Sequence, residues 1–574
     1  MKNRSVILVS LITLGFSLLA ILGGVLHLTV PLCRWGDTLC GILFLLAMAS
    51  QILLVYLNDR AVDRHDYLGQ RLHRRGYFCL SLIAGGLLLI MLLNLMVAIV
   101  YTRRYDPFIF GAIYFLYFAI PTTGALAARE TMLAVKRGFP RRRGRRIRGP
   151  VKKRRFKRTA AVLSYLALFI GAAGLYFLLG GDRSVFFESA PQFAEIFISG
   201  FSLFHAFILL SVAVIVLKLQ NRPGSAGALF VGVLGLACFA LYLLPLMGTP
   251  ATIAAAEEVY SRTFGSTGVE QPDGSSSKKY FQNKPFSLPA YFLGMPPGEY
   301  RFKKDVVFYE GSCGVDRGLD LRCDVFMPPE DRIDLPGWGT ALIRIHGGAW
   351  IGGDKGFANM MQVNKYFASQ GYTVFDLQYG LTDLVELTLP ALQSRVGPPG
   401  LIGPYTLDDM VRHLGLFTRY LASHADEYGL DLDSVFISGG SAGGHLTTAL
   451  ALALSGGGHP DLFSDELKIK GYLPLYPAIE TGFLPEIGVA PEWIDVKLLV
   501  GENSPPCLIF QGKKDGMVDF RTARRFREAY RALGNDKCAV MEFEWAGHAS
   551  DFYFPGYFNQ IWIYYMERFM ASHR

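Results

Sequence analysis

The sequence predicts a chain in two parts: an N-terminal bundle of about seven transmembrane helices, followed by a C-terminal α/β domain whose mostly parallel sheet carries helices on both faces. Its 574 residues exceed the size of one domain, and a hydrophobic fraction of 51% is high for a soluble protein. All the long apolar runs lie before residue 250. After that point, short runs rich in β-branched and aromatic residues alternate with helical patterns, which is typical of an α/β sheet.

Seven apolar runs make up the first part. Each has about the 20 residues that are needed to cross roughly 30 Å of hydrocarbon. The runs are 6–30, 38–57, 77–101, 107–128, 159–179, 194–217 and 224–247. The first run is too long for a cleavable signal peptide and six more follow it, so we expect a permanent span.

The net charge of +9 is concentrated in one loop. Residues 129–158 contain 15 Lys or Arg and one acidic residue, Glu130, so the rest of the chain is net acidic. That distribution argues against a nucleic-acid partner. Basic loops are retained in the cytoplasm, although this one could instead bind anionic lipid or RNA. With the N-terminus on the same side, seven spans place the C-terminal half outside the cytoplasm of a multi-pass cell-membrane protein.

The composition divides the chain into a membrane domain at 1–248, a linker at 249–296 and an α/β domain at 297–574. Strands are expected at 341–345, 373–379, 435–438, 471–476, 507–511 and 539–545, and helices at 407–428, 521–533 and 557–570. Cys313 and Cys323 flank a turn that a disulfide could close, or they are unrelated thiols. The chain has no CxxC or HExxH motif, so we expect no metal site.

Two glycine-rich segments follow predicted strands. Gly439-Gly440-Ser441-Ala442-Gly443 fits the GxSxG nucleophile elbow, in which a serine lies on a tight turn between a strand and a helix. The alternative is a glycine-rich loop with a bystander serine. Upstream, His346-Gly347-Gly348-Ala349-Trp350 resembles an HGGG loop, whose N–H groups would stabilise an oxyanion, or it is merely a tight turn.

An acid and a base follow the serine in the order that this elbow requires. Asp515 comes after the strand at 507–511, and His548 comes after the strand at 539–545. His548 would take the Ser441 proton, while Asp515 would hold the imidazole in the correct tautomer. Asp519 is a rival acid, and the alternatives are a turn-forming aspartate and a surface histidine.

Together these motifs resemble a known family. HGGAW and GGDK (within 346–355), GGSAGGH (439–445), YP (476–477), GKKD (512–515) and GH (547–548) are similar to α/β-hydrolase carboxylesterases. Among these, the hormone-sensitive-lipase-like group and the feruloyl and acetyl xylan esterases are most similar, over about 303–571. The resemblance implies a triad of Ser441, Asp515 and His548. It also implies oxyanion donors at Gly348, Ala349 and Ala442, with Gly347 shaping the loop.

The chain departs from that family in two places. Relatives commonly have Tyr-Arg-Leu where this chain has Tyr379-Gly380-Leu381. The segment at 382–405 is also long and rich in Pro and Gly, which predicts either part of the pocket or lid, or a tolerated surface loop.

These observations predict a membrane-anchored serine carboxylesterase that acts through an acyl-enzyme at Ser441 and needs no cofactor. Its substrate would be a small-molecule, lipid or envelope-glycan ester with an acetyl or short acyl group. The same residues would also serve an envelope acyltransferase that passes the acyl group to an alcohol. A sensor or transport protein whose outer domain only binds is the non-enzymatic alternative.

Overall fold

The computed structural model describes residues 2–61, 67–137, 151–180, 195–220, 225–266, 280–357, 360–384, 397–480 and 484–574. Its N-terminal part consists of long helices: α1 (Lys2–Thr29), α2 (Arg34–Ala61), α3 (Tyr67–Ile99), α4 (Asp106–Lys136), α5 (Val151–Leu178), α6 (Ser202–Leu219), α7 (Ala226–Tyr242) and α8 (Leu244–Phe264). Seven described helical stretches are long and apolar enough to cross a membrane, the last of them formed by α7 and α8 together. Their number equals that of the apolar runs in the sequence.

The C-terminal half contains an eight-stranded sheet in the order β1-β2-β4-β3-β7-β8-β9-β10. Its strands are β1 (Arg301–Glu310), β2 (Asp320–Met327), β3 (Ala341–Ile345), β4 (Thr373–Leu377), β7 (Val435–Gly440), β8 (Ile469–Leu475), β9 (Cys507–Gly512) and β10 (Cys538–Phe543), while β5 (Leu381–Thr382) and β6 (Ile402–Gly403) form a separate pair. Strands β3, β4 and β7 to β10 are parallel, whereas β1 and β2 run antiparallel at one edge. The predicted α/β class is confirmed.

Helices cover both faces of this sheet. They are α9 (Leu288–Leu293), α10 (Met360–Ala368), α11 (Leu407–Ser423), α12 (Ala425–Tyr428), α13 (Ala442–Gly456), α14 (Leu484–Ile487), α15 (Pro491–Ile494), α16 (Arg521–Ala532) and α17 (Tyr557–His573). Helices α11, α13 and α16 share one core with one face of the sheet. Helices α10 and α17 lie on the other face, where they share a core with the N-terminal helices.

This second core is continuous between the two halves of the chain. Phe44 of α2 stacks on Tyr117 of α4 and contacts Phe292 of α9, with ring centroids 4.0 Å and 5.1 Å away. Phe204 of α6 contacts both Phe292 and Tyr553, the latter in the C-terminal half. Contacts between aromatic rings thus extend from the bundle into the C-terminal half.

The residues predicted as a linker, 249–296, are largely packed where they are described. Residues 249–264 continue α8, which lies against β10 and α17. All six residues of α9 are buried, and the Ser287 hydroxyl accepts a hydrogen bond from the Ala290 N–H at its start. The division of the chain into domains stays a prediction, because these helices belong to the shared core.

Buried polar groups also join the two halves. Lys365 of α10 is 0% exposed, and its ammonium donates to the carbonyl oxygens of Val97, at 2.8 Å, and Val100. The last carbonyls of a helix have no partner within it, so Lys365 satisfies the end of α3. Nearby, the Tyr101 hydroxyl donates to the Asp324 carboxylate at 2.8 Å.

Basic side chains gather at the opposite end of the bundle. Arg71, near the start of α3, lies 2.7 Å from Glu130 of α4. Lys218, near the end of α6, lies 3.0 Å from Asp59, near the end of α2. The C-terminal half therefore contacts the end of the bundle that is remote from this basic cluster.

The disulfide considered for Cys313 and Cys323 is not formed. All eight cysteines lie among the described residues and are free thiols. Cys323 is buried in β2, whereas Cys313 is exposed in the turn. The two cysteines whose spacing would suit a disulfide thus differ in environment. Cys323 faces the core, whereas Cys313 faces outward.

Replacing Lys365 with Met should destabilise the chain. The Val97 and Val100 carbonyls lose their donor, which should lower the free energy of unfolding by about 1–3 kcal/mol. Denaturant unfolding of the full chain in detergent measures this change. In the control variant Lys303→Met, an exposed lysine that pairs with Glu427 is lost, and the change should stay within about 0.5 kcal/mol. Equal stability of the two variants would contradict this role for Lys365.

Candidate active site

Ser441 lies on a sharp turn between β7 and α13. Its φ of 58° and ψ of −122° are strained for a residue with a side chain. The turn is held by the Ser441 N–H, which donates to the Leu475 carbonyl of the neighbouring strand at 3.0 Å. This geometry places the hydroxyl at the carboxyl edge of the sheet.

His548 follows β10 and lies between the serine and an acid. Its Nε2 is 3.1 Å from Ser441 Oγ, and its Nδ1 is 2.9 Å from Asp515 Oδ2. Both side chains of the His548–Asp515 pair are buried. The structure therefore brings Ser441, His548 and Asp515 into one hydrogen-bonded chain.

The Asp515 carboxylate is held from two sides. Its Oδ1 accepts from the N–H groups of Met517 and Val518, at 2.9 Å and 2.8 Å. This leaves Oδ2 for the imidazole. The rival acid, Asp519, instead accepts from the Arg521 N–H at the start of α16, at 3.0 Å.

Several groups act on the charge of His548. Burial lowers the pKa of the imidazole, whereas the charge and hydrogen bond of Asp515 raise it. The charges of Glu195 and Asp551 act in the same direction as Asp515, so the pKa of His548 lies above its usual value. A histidine with these neighbours is well suited to accept a proton from a hydroxyl.

The glycine-rich loop after β3 touches the serine turn. A Cβ on Gly347 would lie 2.7 Å from the Gly440 carbonyl oxygen and 3.3 Å from the Ser441 Cβ, so only glycine fits there. The next residues, Gly348 and Ala349, have φ angles of 126° and 52°. Among the described residues, neither of their N–H groups donates to a main-chain carbonyl.

The fourth residue predicted for the oxyanion site, Ala442, begins α13. N–H groups in the first turn of a helix have no partner within it, and the Ala442 N–H donates to no main-chain carbonyl in the part of the chain that the structure describes. The four residues thus lie on two loops that meet beside Ser441. Their role in binding an oxyanion stays a prediction.

Tyr379 supports the glycine-rich loop. Its hydroxyl donates to the His346 carbonyl at 2.9 Å, and the two rings stack at 4.4 Å. Burial lowers the pKa of His346 to about 4, so this ring is neutral, and its Nδ1 is 2.8 Å from the Gly347 carbonyl oxygen.

The structure also explains the Tyr-Gly-Leu departure. The Gly380 N–H donates to His413 Nδ1 at 3.1 Å. A Cβ on Gly380 would lie 2.7 Å from the Tyr405 ring and 2.8 Å from the His413 ring. No room is left for the arginine of the relatives. Of the segment predicted as a lid or surface loop, residues 385–396 lie outside the described residues.

Three residues beneath the site received no role from the sequence, although Tyr476 belongs to the YP motif. The Tyr476 hydroxyl donates to Asp551 at 2.7 Å, and its ring contacts that of His548 at 4.6 Å. Arg344 is fully buried in β3, and its guanidinium donates to Ser438 at 2.7 Å. A charged residue within an otherwise apolar strand was the available signal for Arg344.

The family model for the alpha/beta hydrolase fold matches residues 404–491. The chain is 24% identical over 251 residues to the probable carboxylic ester hydrolase LipM of Mycobacterium tuberculosis. The aligned region covers 40% of this chain and 53% of LipM. Esterase LipC of the same organism is 22% identical over 233 residues, covering 37% of this chain and 53% of LipC. The chain therefore spans about half the length of these curated relatives.

Solved structures of an esterase also match. The apo form of Thermogutta terrifontis esterase 2 has a TM-score of 0.35 at 24% identity, covering 48% of this chain and 92% of the solved chain. The same esterase phosphorylated by paraoxon has a TM-score of 0.33 at 25% identity, covering 44% and 85%. The narrower resemblance to feruloyl and acetyl xylan esterases stays a prediction.

Replacing Gly347 with Ala should impair the site. The new Cβ would push the glycine-rich loop away from Ser441, and a displacement of about 1 Å in such a loop can cost about a hundredfold in rate. Hydrolysis of p-nitrophenyl esters by the full chain measures the loss. Gly458→Ala is the control, because its Cβ would meet no atom within 4 Å. Equal rates in the two variants would show that the loop contact is unimportant.

Proposed function

We propose that this protein, whose C-terminal half is an α/β hydrolase with esterase relatives, is a membrane-anchored serine carboxylesterase. The observation that carries the proposal is the hydrogen-bonded chain from Ser441 through His548 to Asp515, on a strained turn beside a glycine-rich loop. The similarity to LipM and LipC supports the same reaction class. The proposed substrate is an acetyl or short-acyl ester of a small molecule, a lipid or an envelope glycan.

The first half of the reaction forms an acyl-enzyme. Ser441 Oγ attacks the ester carbonyl carbon while His548 Nε2 takes the hydroxyl proton. Asp515 keeps the Nδ1 proton on its side of the ring and stabilises the imidazolium. The tetrahedral oxyanion is bound by the N–H groups of Gly348, Ala349 and Ala442.

The second half releases the acid. Collapse of the intermediate breaks the bond to the alcohol, which leaves with the proton from His548. Water then gives a proton to His548 and attacks the acyl-enzyme carbonyl. A second collapse frees the carboxylic acid, and His548 returns the proton to Ser441 Oγ. One ester and one water thus yield one acid and one alcohol.

The proposed location follows from the two ends of the bundle. Seven helical stretches have the length and composition of membrane spans. The cluster around Arg71 and Lys218 lies at the end remote from the C-terminal half. Because basic residues are retained in the cytoplasm, we place the catalytic half outside it.

Replacing Ser441 with Ala should abolish turnover. Loss of the nucleophile typically lowers kcat by about 10⁴-fold or more. The assay is hydrolysis of p-nitrophenyl esters of graded acyl length by the full chain in detergent, and Ser455→Ala on the same helix is the control. Absence of both turnover and fluorophosphonate labelling at Ser441 in the wild type would contradict the proposal and favour a binding protein. Labelling without turnover would instead favour an acyltransferase.

The proposed topology can be tested with the native thiols. Cys33 and Cys313 are exposed and the other six cysteines are buried. A membrane-impermeant maleimide should therefore label both exposed thiols in intact cells. In a variant lacking them, a cysteine introduced by Gln70→Cys near the basic cluster should react only after permeabilisation. The reverse pattern would place the catalytic half in the cytoplasm.

A further inference from the structure

Residues 195–201, here named the docking segment, lead into α6 of the bundle and lie against the loop that carries His548. Glu195 is only 2% exposed, and its Oε1 accepts a hydrogen bond from the His548 main-chain N–H at 3.1 Å. The Ser199 hydroxyl accepts from the preceding N–H, that of Gly547, at 3.3 Å. Two consecutive N–H groups of the catalytic loop thus donate to a segment from the N-terminal half.

The contact with Glu195 explains why residue 547, directly before His548, is a glycine. A Cβ on Gly547 would collide with the Glu195 carboxylate, whose Oε1 is the nearest atom. The carboxylate therefore occupies the space that any other residue at 547 would fill. Glu195 packs on the catalytic loop at the residue immediately before the histidine.

The docking segment is itself firmly held. Tyr291 of α9 donates from its hydroxyl to the Gly200 carbonyl at 2.9 Å, and the Tyr553 hydroxyl donates to the Tyr291 carbonyl at 2.7 Å. The Phe201 ring packs on Tyr553 at 4.8 Å. Because these groups are buried, their contacts hold the docking segment, and with it Glu195, in a fixed position.

The charged and titratable groups around His548 come from four elements. They are Asp515 after β9, Asp551 on the histidine loop itself, Tyr476 at the end of β8 and Glu195 on the docking segment. The negative charge of Glu195 raises the pKa of the imidazole together with the two aspartates. Glu195 thus acts on the histidine in two ways, through a main-chain hydrogen bond and through its charge.

We propose that Glu195 is a positioning residue of the esterase, which holds the His548 main chain so that Nε2 meets Ser441 Oγ. A hydrogen bond to a carboxylate is stronger than one to a neutral acceptor, and it fixes the loop at the catalytic residue itself. The negative charge also favours the imidazolium that forms during attack. This inference rests on the proposed function, because it assigns a role within that reaction.

The test compares Glu195→Gln and Glu195→Ala in the full chain. Gln keeps an oxygen acceptor but loses the charge, so turnover on the pH plateau should stay within about fivefold of wild type. The midpoint of the acidic limb should move to lower pH, since a neutral neighbour no longer favours the protonated ring. Ala loses both contributions, so plateau turnover should fall about a hundredfold as well.

Two further variants separate positioning from stability. Ser199→Ala removes the neighbouring hydrogen bond without changing charge, so turnover should fall while the midpoint stays in place. Glu258→Gln removes an exposed carboxylate that pairs with Arg262. Neither the plateau turnover nor the midpoint of the acidic limb should change in this variant. Thermal melting of each variant in detergent identifies any that fail to fold. If Glu195→Ala does not fold, the midpoint of the near-isosteric Glu195→Gln variant decides the test.

The outcomes are distinct. A midpoint for Glu195→Gln equal to that of wild type would overturn the inference, as would a plateau for folded Glu195→Ala equal to that of Glu258→Gln. Either result, with Ser441-dependent turnover intact in wild type, leaves the proposed function standing. Absence of Ser441-dependent turnover in the wild type would refute the proposed function and, with it, the role of Glu195.

Discussion

The strained turn at Ser441 is the constraint on which the candidate site depends. A positive φ at a residue with a side chain persists only where the surroundings hold it, and here the main chain of β8 and the glycine-rich loop both do so. Gly347 allows that loop to contact the Ser441 turn, and the Tyr379 hydroxyl holds the loop through its hydrogen bond to the His346 carbonyl. The Ser441 hydroxyl is therefore positioned mainly by backbone packing, and glycines are required where the two loops meet.

Much of this arrangement could be predicted from local patterns. The strand before Ser441, the helix after it and the order of Asp515 and His548 are all short-range signals, and the corresponding strands lie within a few residues of their expected positions. The two edge strands were expected only as unbounded strands on either side of the turn near Cys313 and Cys323. The first of them, β1, is largely exposed and carries Arg301, Lys303 and Lys304, so its hydrophobic pattern is weak.

Contacts between distant parts of the chain left no comparable signal. Glu195 falls within a run that is otherwise apolar and was expected to be a span, and nothing in its neighbours indicates a partner more than 350 residues away. Likewise, helix α9 fell within the expected linker, although its aromatic residues complete the core between the halves. Such contacts depend on tertiary packing, which residue periodicity does not encode.

The buried ammonium of Lys365 has a consequence for how the protein is made. A chain is synthesised from its N-terminus, so α3 is complete long before Lys365 exists. Until α10 docks, the carbonyls at the end of α3 must be satisfied by water or another temporary partner. The end of α3 therefore reaches its final hydrogen bonding only after α10 of the C-terminal half has been made and has docked.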